Sequence, residues 1–332
     1  MSAGPDKIRL RNAVILVSLA TLTTLLVVGS HWVQRSMDGV NQMSGKVLPN
    51  FSAEMPHIRA IEIRTAQGAY TLVRSGAGWV MPERGNFPIA PEVLSVFAKD
   101  LSGLTYVSAR TSNPAQFARL GVDEPNSGGS SALVSMKGGD SQLLHSFHIG
   151  KKAEALFIRK VGSNDVFEVT GTLPTLNRPA LWLDLKVIDV TPETIATVSG
   201  QHVGEARYDI VRRPDGGFAP LDGQANVVAT MTALALTKWE PLDVMASSGL
   251  TSAPTASHST SLKTGGTVQI TTYQERDRNW VVLTAAATSE DQTDFVSKLN
   301  QRTNGWAFEL SAADFADFTL PRDAILFGAR AP

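Results

Sequence analysis

Residues 13–28 read AVILVSLATLTTLLVV, an uncharged and proline-free run near the N-terminus of a 332-residue chain. A segment apolar on every side has no polar face to turn toward water, so it fits a bilayer better than the surface or core of a folded domain. Gly29, Ser30, His31, Trp32 and Val33 extend it to the roughly 20 residues that a spanning helix needs. Trp32 falls where an interfacial ring belongs. Lys7, Arg9 and Arg11 precede the run, opposed only by Asp6. The positive-inside rule then makes residues 1–12 a cytoplasmic tail and 13–33 the span, and sends the rest of the chain across. A cleaved signal peptide is the competing reading, with Val28-Gly29-Ser30 as its small-residue site. The run is longer than the usual apolar stretch of about 7–15 residues, which favours a retained anchor.

At 100° per residue the span has two unlike sides. Ala13, Val17, Ala20, Thr21, Thr24 and Val28 fall on one, and Ile15, Leu19, Leu22 and Leu26 on the other. Lipid tails are as apolar as leucine, whereas small residues let a neighbouring helix approach closely. Ala13, Val17, Ala20, Thr21 and Thr24 are therefore the candidate interface for a permease helix or a second copy of this chain. The alternative is that Thr21 and Thr24 face lipid and bond back to the carbonyl four residues earlier.

Beyond the span, residues 34–55 are rich in Ser, Gly, Asn and Met without periodicity. They read as a flexible linker holding the domain about 25 Å from the membrane. The remainder carries an internal repeat. Tyr70-Thr71-Leu72-Val73-Arg74, then Gly78-Trp79 and Pro82, matches Tyr208-Asp209-Ile210-Val211-Arg212, then Gly217-Phe218 and Pro220. Pro56, Ile58 and Ile61 match Pro192, Ile195 and Val198, and Leu104-Thr105 matches Leu236-Thr237. Lys137-Gly138-Gly139 parallels Lys263-Thr264-Gly265-Gly266, and Phe167-Glu168-Val169 parallels Phe308-Glu309-Leu310. The shared order argues for duplication, with lobe 1 at 56–190 and lobe 2 at 191–332.

Alternation predicts strands at 60–64, 70–74, 132–136, 143–149, 156–160 and 166–169. A helix after Pro91 should turn Val93, Leu94, Phe97 and Leu101 inward and end at Gly103. A short one should be capped by Asn113, start at Pro114 and stop at Gly121. In the second copy the inward faces are Val227, Met231 and Leu234, then Phe295, Val296 and Leu299 after a Ser289–Gln292 capping box. The expected class is α+β: one N-terminal transmembrane helix followed by two duplicated lobes of antiparallel sheet with packed helices.

The chemistry-bearing residues are sparse. The chain has no cysteine, which removes disulfides, zinc–thiolate sites and cysteine nucleophiles. Its formal net charge is −1, and no basic stripe offers a nucleic-acid surface. His145 and His148 form an H-x-x-H in a predicted strand, where residues three apart point to opposite faces, so no metal site is expected. Gly129-Ser130-Ser131 lacks the closing glycine of a nucleophile elbow. Gly76-Ala77-Gly78 leads into a strand and reads as a hairpin turn. The acidic pairs Asp184/Asp189 and Asp314/Asp317 read as solvated charge. Trp79, Trp182, Trp239, Trp280 and Trp306 are spread along the chain, and the match of Trp79 to Phe218 favours a core role over a glycan-stacking shelf. No cofactor is expected, and the residues point away from an enzyme.

One ordered set goes further. Ile58-x-x-Ile61, Tyr70 to Arg74, Gly78-Trp79 with Pro82, Asn113-Pro114, Leu120-Gly121-Val122 with Pro125, Ile149-Gly150-Lys151, Phe157-Ile158-Arg159 and Trp182-Leu183-Asp184 follow one another. In this the chain resembles the bacterial domain-of-unknown-function 4340 family over roughly residues 56–245. The resemblance implies a non-enzymatic accessory subunit of an ABC-type transport complex, anchored in the inner membrane with its lobes in the periplasm and acting through protein contacts. It supplies no active-site residues. The alternative is an envelope module that binds a glycan or lipid in a cleft between the lobes.

Overall fold

A computed structural model describes residues 43–328. The span at 13–33, with its candidate interface of Ala13, Val17, Ala20, Thr21 and Thr24, lies outside the described residues, as does 34–42. Among the described residues no helix is long and apolar enough to cross a membrane.

The strands come in chain order as β1 (Ala60–Thr65), β2 (Gly68–Ser75), β3 (Gly78–Met81), β4 (Phe87–Pro88), β5 (Thr105–Thr111), β6 (Ala132–Lys137), β7 (Leu143–Lys152), β8 (Ala155–Lys160) and β9 (Val166–Thr170). They continue with β10 (Ile195–His202), β11 (Tyr208–Arg212), β12 (Phe218–Pro220), β13 (Asp243–Ala246), β14 (Pro254–Leu262), β15 (Gly266–Glu275), β16 (Arg278–Ala287) and β17 (Trp306–Leu310). The helices are α1 (Phe51–Glu54), α2 (Pro91–Gly103), α3 (Phe117–Leu120), α4 (Val227–Ala233), α5 (Thr293–Thr303), α6 (Ala312–Thr319) and α7 (Arg322–Phe327). The protein is α+β, with two antiparallel sheets and few helices.

The chain forms two compact units. The first holds the described residues up to Arg74 together with Ser95–Arg178; the second holds Ser75–Leu94 and the described residues from Pro179 onward. In the first unit the strands lie side by side as β2-β1-β6-β7-β8-β9-β5. A hairpin forms one side, β5 takes the far edge, and the meander β6 to β9 fills the space between them. The second unit repeats this order as β11-β10-β14-β15-β16-β17-β13, with β12 added beyond β11. Tyr70 sits in β2 opposite Ile63, and Tyr208 sits in β11 opposite Gly200.

Alternation explains the strands. In β1 the buried Ile61 and Ile63 alternate with residues nearer solvent, and in β2 Tyr70 and Leu72 do the same. In α2, Leu94, Phe97 and Leu101 are buried, as their helical spacing predicts. Asn113 caps the turn before α3 by accepting a hydrogen bond from the amide of Ala115 at 3.0 Å, and Gly121 ends α3 in the left-handed conformation. Trp79 is buried in β3, and Trp182, Trp239 and Trp280 are buried too.

Three expectations need correcting. Residues 43–55 do not behave as flexible linker: Gly45 and Val47 hydrogen-bond to Tyr106 and Leu104, and Val47, Leu48 and Phe51 are buried. Three anchoring side chains at irregular spacing leave no periodic trace in a polar stretch. In α4 the buried face is Val228, Ala229, Thr232 and Ala233, while Val227 is 68% exposed. Small residues make that face, so a pattern weighted toward large apolar side chains selects the wrong side. The Ser289 capping box does not form, because the Ser289 hydroxyl donates to the Thr264 carbonyl at 2.8 Å.

His258 in β14 is fully buried in the second unit, edge-on to Phe318 at a centroid distance of 5.0 Å. Its Nε2 lies 3.2 Å from Thr260 Oγ1, and its Nδ1 has no hydrogen-bond partner among the described residues. Burial pushes its pKa down to about 4. The unfolded chain takes a proton on this ring below about pH 6.5, while the folded protein refuses it until about pH 4. Stability should therefore fall as pH drops from about 6.5 to about 4, by about 3 kcal/mol in all, and level off below that. Urea denaturation across this range should show the slope in the native protein and a smaller one in His258→Leu; equal slopes would remove His258 as the cause.

Candidate functional site

The residues quoted above as Leu120-Gly121-Val122, Ile149-Gly150-Lys151 and Phe157-Ile158-Arg159 are separated in sequence, yet they meet on β7 and β8 of the first unit. Gly150 pairs with Phe157, and His148 pairs with Arg159. One face of this ribbon is covered by α3 and the loop that follows it. A Cβ at Gly150 would lie 2.4 Å from the carbonyl oxygen of Leu120 and 2.5 Å from that of Gly121, so only glycine admits this approach. Phe117, Val122, Phe157 and Val166 form the apolar part of the contact.

Arg159 is the polar pin. It is 6% exposed, and its guanidinium lies over the Phe117 ring at 4.5 Å. Nε donates to the Val122 carbonyl at 3.0 Å, Nη1 to the Ser163 carbonyl at 3.3 Å and Nη2 to Glu124 Oε1 at 3.3 Å. His148 is fully buried beside it. Its Nδ1 is 3.2 Å from Ser131 Oγ, and its Nε2 is 3.0 Å from Glu124 Oε1, off the direction of a proper hydrogen bond. Burial holds the imidazole pKa below its ordinary value, the Arg159 charge adds to this, and Glu124 opposes it.

Ser131, His148 and Glu124 thus have the composition of a nucleophile, a base and an orienting carboxylate. The hydrogen-bond geometry gives the serine a different acceptor. Ser131 Oγ donates its only proton to the backbone carbonyl of Asp123, so the network assigns His148 Nδ1 as donor to that oxygen. A serine nucleophile must give its proton to the imidazole. As placed, these contacts tie the loop to the strands.

Above the same strands lies a cleft of about 450 Å³. It is lined by the β1–β2 turn (Thr65, Ala66, Gln67), the segment 128–132, Ile149 and Lys151 of β7, Leu156 of β8, and the segment 173–177. Tyr70 braces the last of these by donating to the Leu176 carbonyl at 2.9 Å. Pockets of about 300–1,000 Å³ suit small ligands.

The other sequence candidates do not converge here. His145 and His148 point to opposite faces of β7, and His145 pairs with Glu54. His148 is more deeply buried than a strand histidine facing mixed surroundings would be. Asp184 pairs with Arg302 at 2.8 Å, and Asp189 is exposed. Asp314 accepts from Ser311 at the start of α6, and Asp317 is buried with Lys238 at 3.4 Å, so its charge is not solvated as expected. Among the described residues no three His, Asp or Glu side chains are placed to share a metal ion. Glu124 and the Ser131–His148 contact had no local signal; Arg159 was carried by the ordered motif set.

The architecture is that of a two-unit α+β protein on antiparallel sheets, with a ligand-sized cleft inside the first unit. The profile of a family described as domain of unknown function (DUF4340) matches residues 79–263. The match spans more than half of the chain, and the chain belongs to that family. No curated protein matches it.

Proposed function

We propose that this chain is a non-enzymatic, membrane-anchored periplasmic accessory subunit of an ABC-type transport complex, acting through protein–protein contacts. What supports the non-catalytic part is the hydrogen bond from Ser131 Oγ to the Asp123 carbonyl, which makes the Ser131–His148–Glu124 cluster a fastening between loop and strands. The apolar run at 13–28 with its basic flank supports the anchor, and the transport setting is what the resemblance of the ordered motif set implies. Duplication of a single ancestral lobe accounts for the shared strand order and would offer a partner two related surfaces. Purification from native membranes in mild detergent should bring down a permease and an ATPase; recovery as a lone monomer would count against the reading.

The span should contribute to that assembly. Because the native chain has no cysteine, single cysteines at Ala20 or Thr24 should crosslink in membranes more strongly than at Leu22 or Leu26. Equal or stronger crosslinking from the leucine side would sink the interface.

A second reading is a ligand-binding module. The cleft of the first unit favours it, and that cleft is formed wholly by residues of this unit.

A further inference from the structure

We propose that the cleft of the first unit binds a small amphipathic monoanion, an apolar body carrying one carboxylate, with Lys151 as its counter-charge. This rests on reading that cleft as a ligand site.

The lining decides the chemistry. No Asp or Glu faces the cleft, and Lys151 is its one ionised side chain. Lys151 is exposed, and no carboxylate among the described residues pairs with it. The acidic residues of the adjoining loop are engaged elsewhere: Asp123 accepts from the Ser130 amide at 3.1 Å, and Glu124 is held by Arg159. The cleft therefore presents an uncompensated positive charge, which a carboxylate satisfies with a charge-assisted hydrogen bond.

The remainder of the ligand is set by the floor. Ile149, Leu156 and Leu176 are each less than a tenth exposed and give a fixed apolar surface. Ile149 and Lys151 lie two apart on β7, on one face, so the charge stands directly beyond the apolar floor. Beneath them the Arg159 pin and the Gly150 contact fix the strands, so the site is already formed before binding. Taking a water's share of about 30 Å³, the volume admits on the order of 15 non-hydrogen atoms. A medium-chain fatty acid and the apolar C-terminus of a peptide share this chemistry.

The test uses the full-length chain in amphipol and calorimetry with two matched pairs: octanoate with octanamide, and N-acetylleucine with its amide. In at least one pair the acid should bind tenfold or more tightly than the amide; the pair that responds names the source. Lys151→Gln should abolish the acid preference. Lys152→Gln, on the opposite face of the strand, should keep it. Thr175→Trp, in the exposed cleft wall, should weaken acid and amide together. Acid and amide binding equally to the native protein would overturn the anion assignment while leaving a ligand site. Failure of all four probes to bind would overturn the ligand reading itself.

Discussion

Replacing Arg159 with alanine should destabilise the first unit by about 3–4 kcal/mol. The cost does not come chiefly from charge. Glu124 has a side chain 54% exposed, and water takes over its solvation when the guanidinium leaves. The buried Val122 carbonyl instead loses its donor, at a cost of about 1–3 kcal/mol, and the part-buried Ser163 carbonyl loses its own at a smaller cost. Phe117 loses the cation stacked on its ring as well. Lysine is not an adequate substitute, because a single ammonium on a flexible stem does not reproduce three donors fixed in one plane. Arg159→Lys should therefore recover only part of the loss. The same change has a second signature. Burial is the main cause that depresses the His148 pKa, and the Arg159 charge is the next, so Arg159→Ala should raise the His148 pKa from its native position. Urea denaturation measures the first effect and a proton-resonance titration of His148 the second. A loss under about 1 kcal/mol would mean that the loop is fastened by its apolar contacts alone.

The strands were legible because sheet burial leaves a period of two in the residues themselves. The reading of 132–136, 143–149, 156–160 and 166–169 falls within β6, β7, β8 and β9, each of which buries alternate or successive apolar residues. The turn into α3 was legible for a different reason: Asn113, Pro114 and Gly121 act within a few residues of themselves. The Ser131–His148–Glu124 cluster was not legible. A histidine at position 148 looks the same in sequence whether it meets water or meets Ser131, Glu124 and Arg159, since its partners come from other elements. Asp317 was read as solvated for the same reason, because Lys238 lies far away along the chain. The cleft shares this difficulty. Its lining comes from five separate segments, and only their common placement at one end of β1, β6, β7 and β8 makes Lys151 a candidate. Corresponding residues in the two copies are visible side by side in an alignment of the chain with itself; side chains that pack together are not.

Phe87 is the sharpest instance of that distinction, and Phe87→Ala should destabilise the second unit by about 3–5 kcal/mol. By sequence the residue belongs with the first copy, between Pro82 and the helix that begins at Pro91. By packing it belongs with the second unit, as part of Ser75–Leu94. It is 1% exposed, pairs with Met81 across β3 and β4, and meets two rings edge-on: Trp306 at 5.1 Å and Phe308 at 5.9 Å. Phe308 in turn meets Trp239 at 5.4 Å, so the cavity left by alanine would open in the middle of an aromatic cluster. Rings of this size held on several sides do not collapse readily to fill such a space. The segment has a second hold on the same unit, since Arg84 grips the buried Asp243 with Nε at 2.7 Å and Nη2 at 2.9 Å. That fork should keep the backbone seated, so the loss reports the cavity and not release of the segment. Native-state hydrogen exchange separates the outcomes. Protection should fall in β17 and β13, which carry or adjoin Trp306 and Phe308, while β7 in the first unit keeps its protection. Loss concentrated in β7 with β17 unchanged would return Phe87 to the first unit and refute the division of the chain at Ser75 and Leu94.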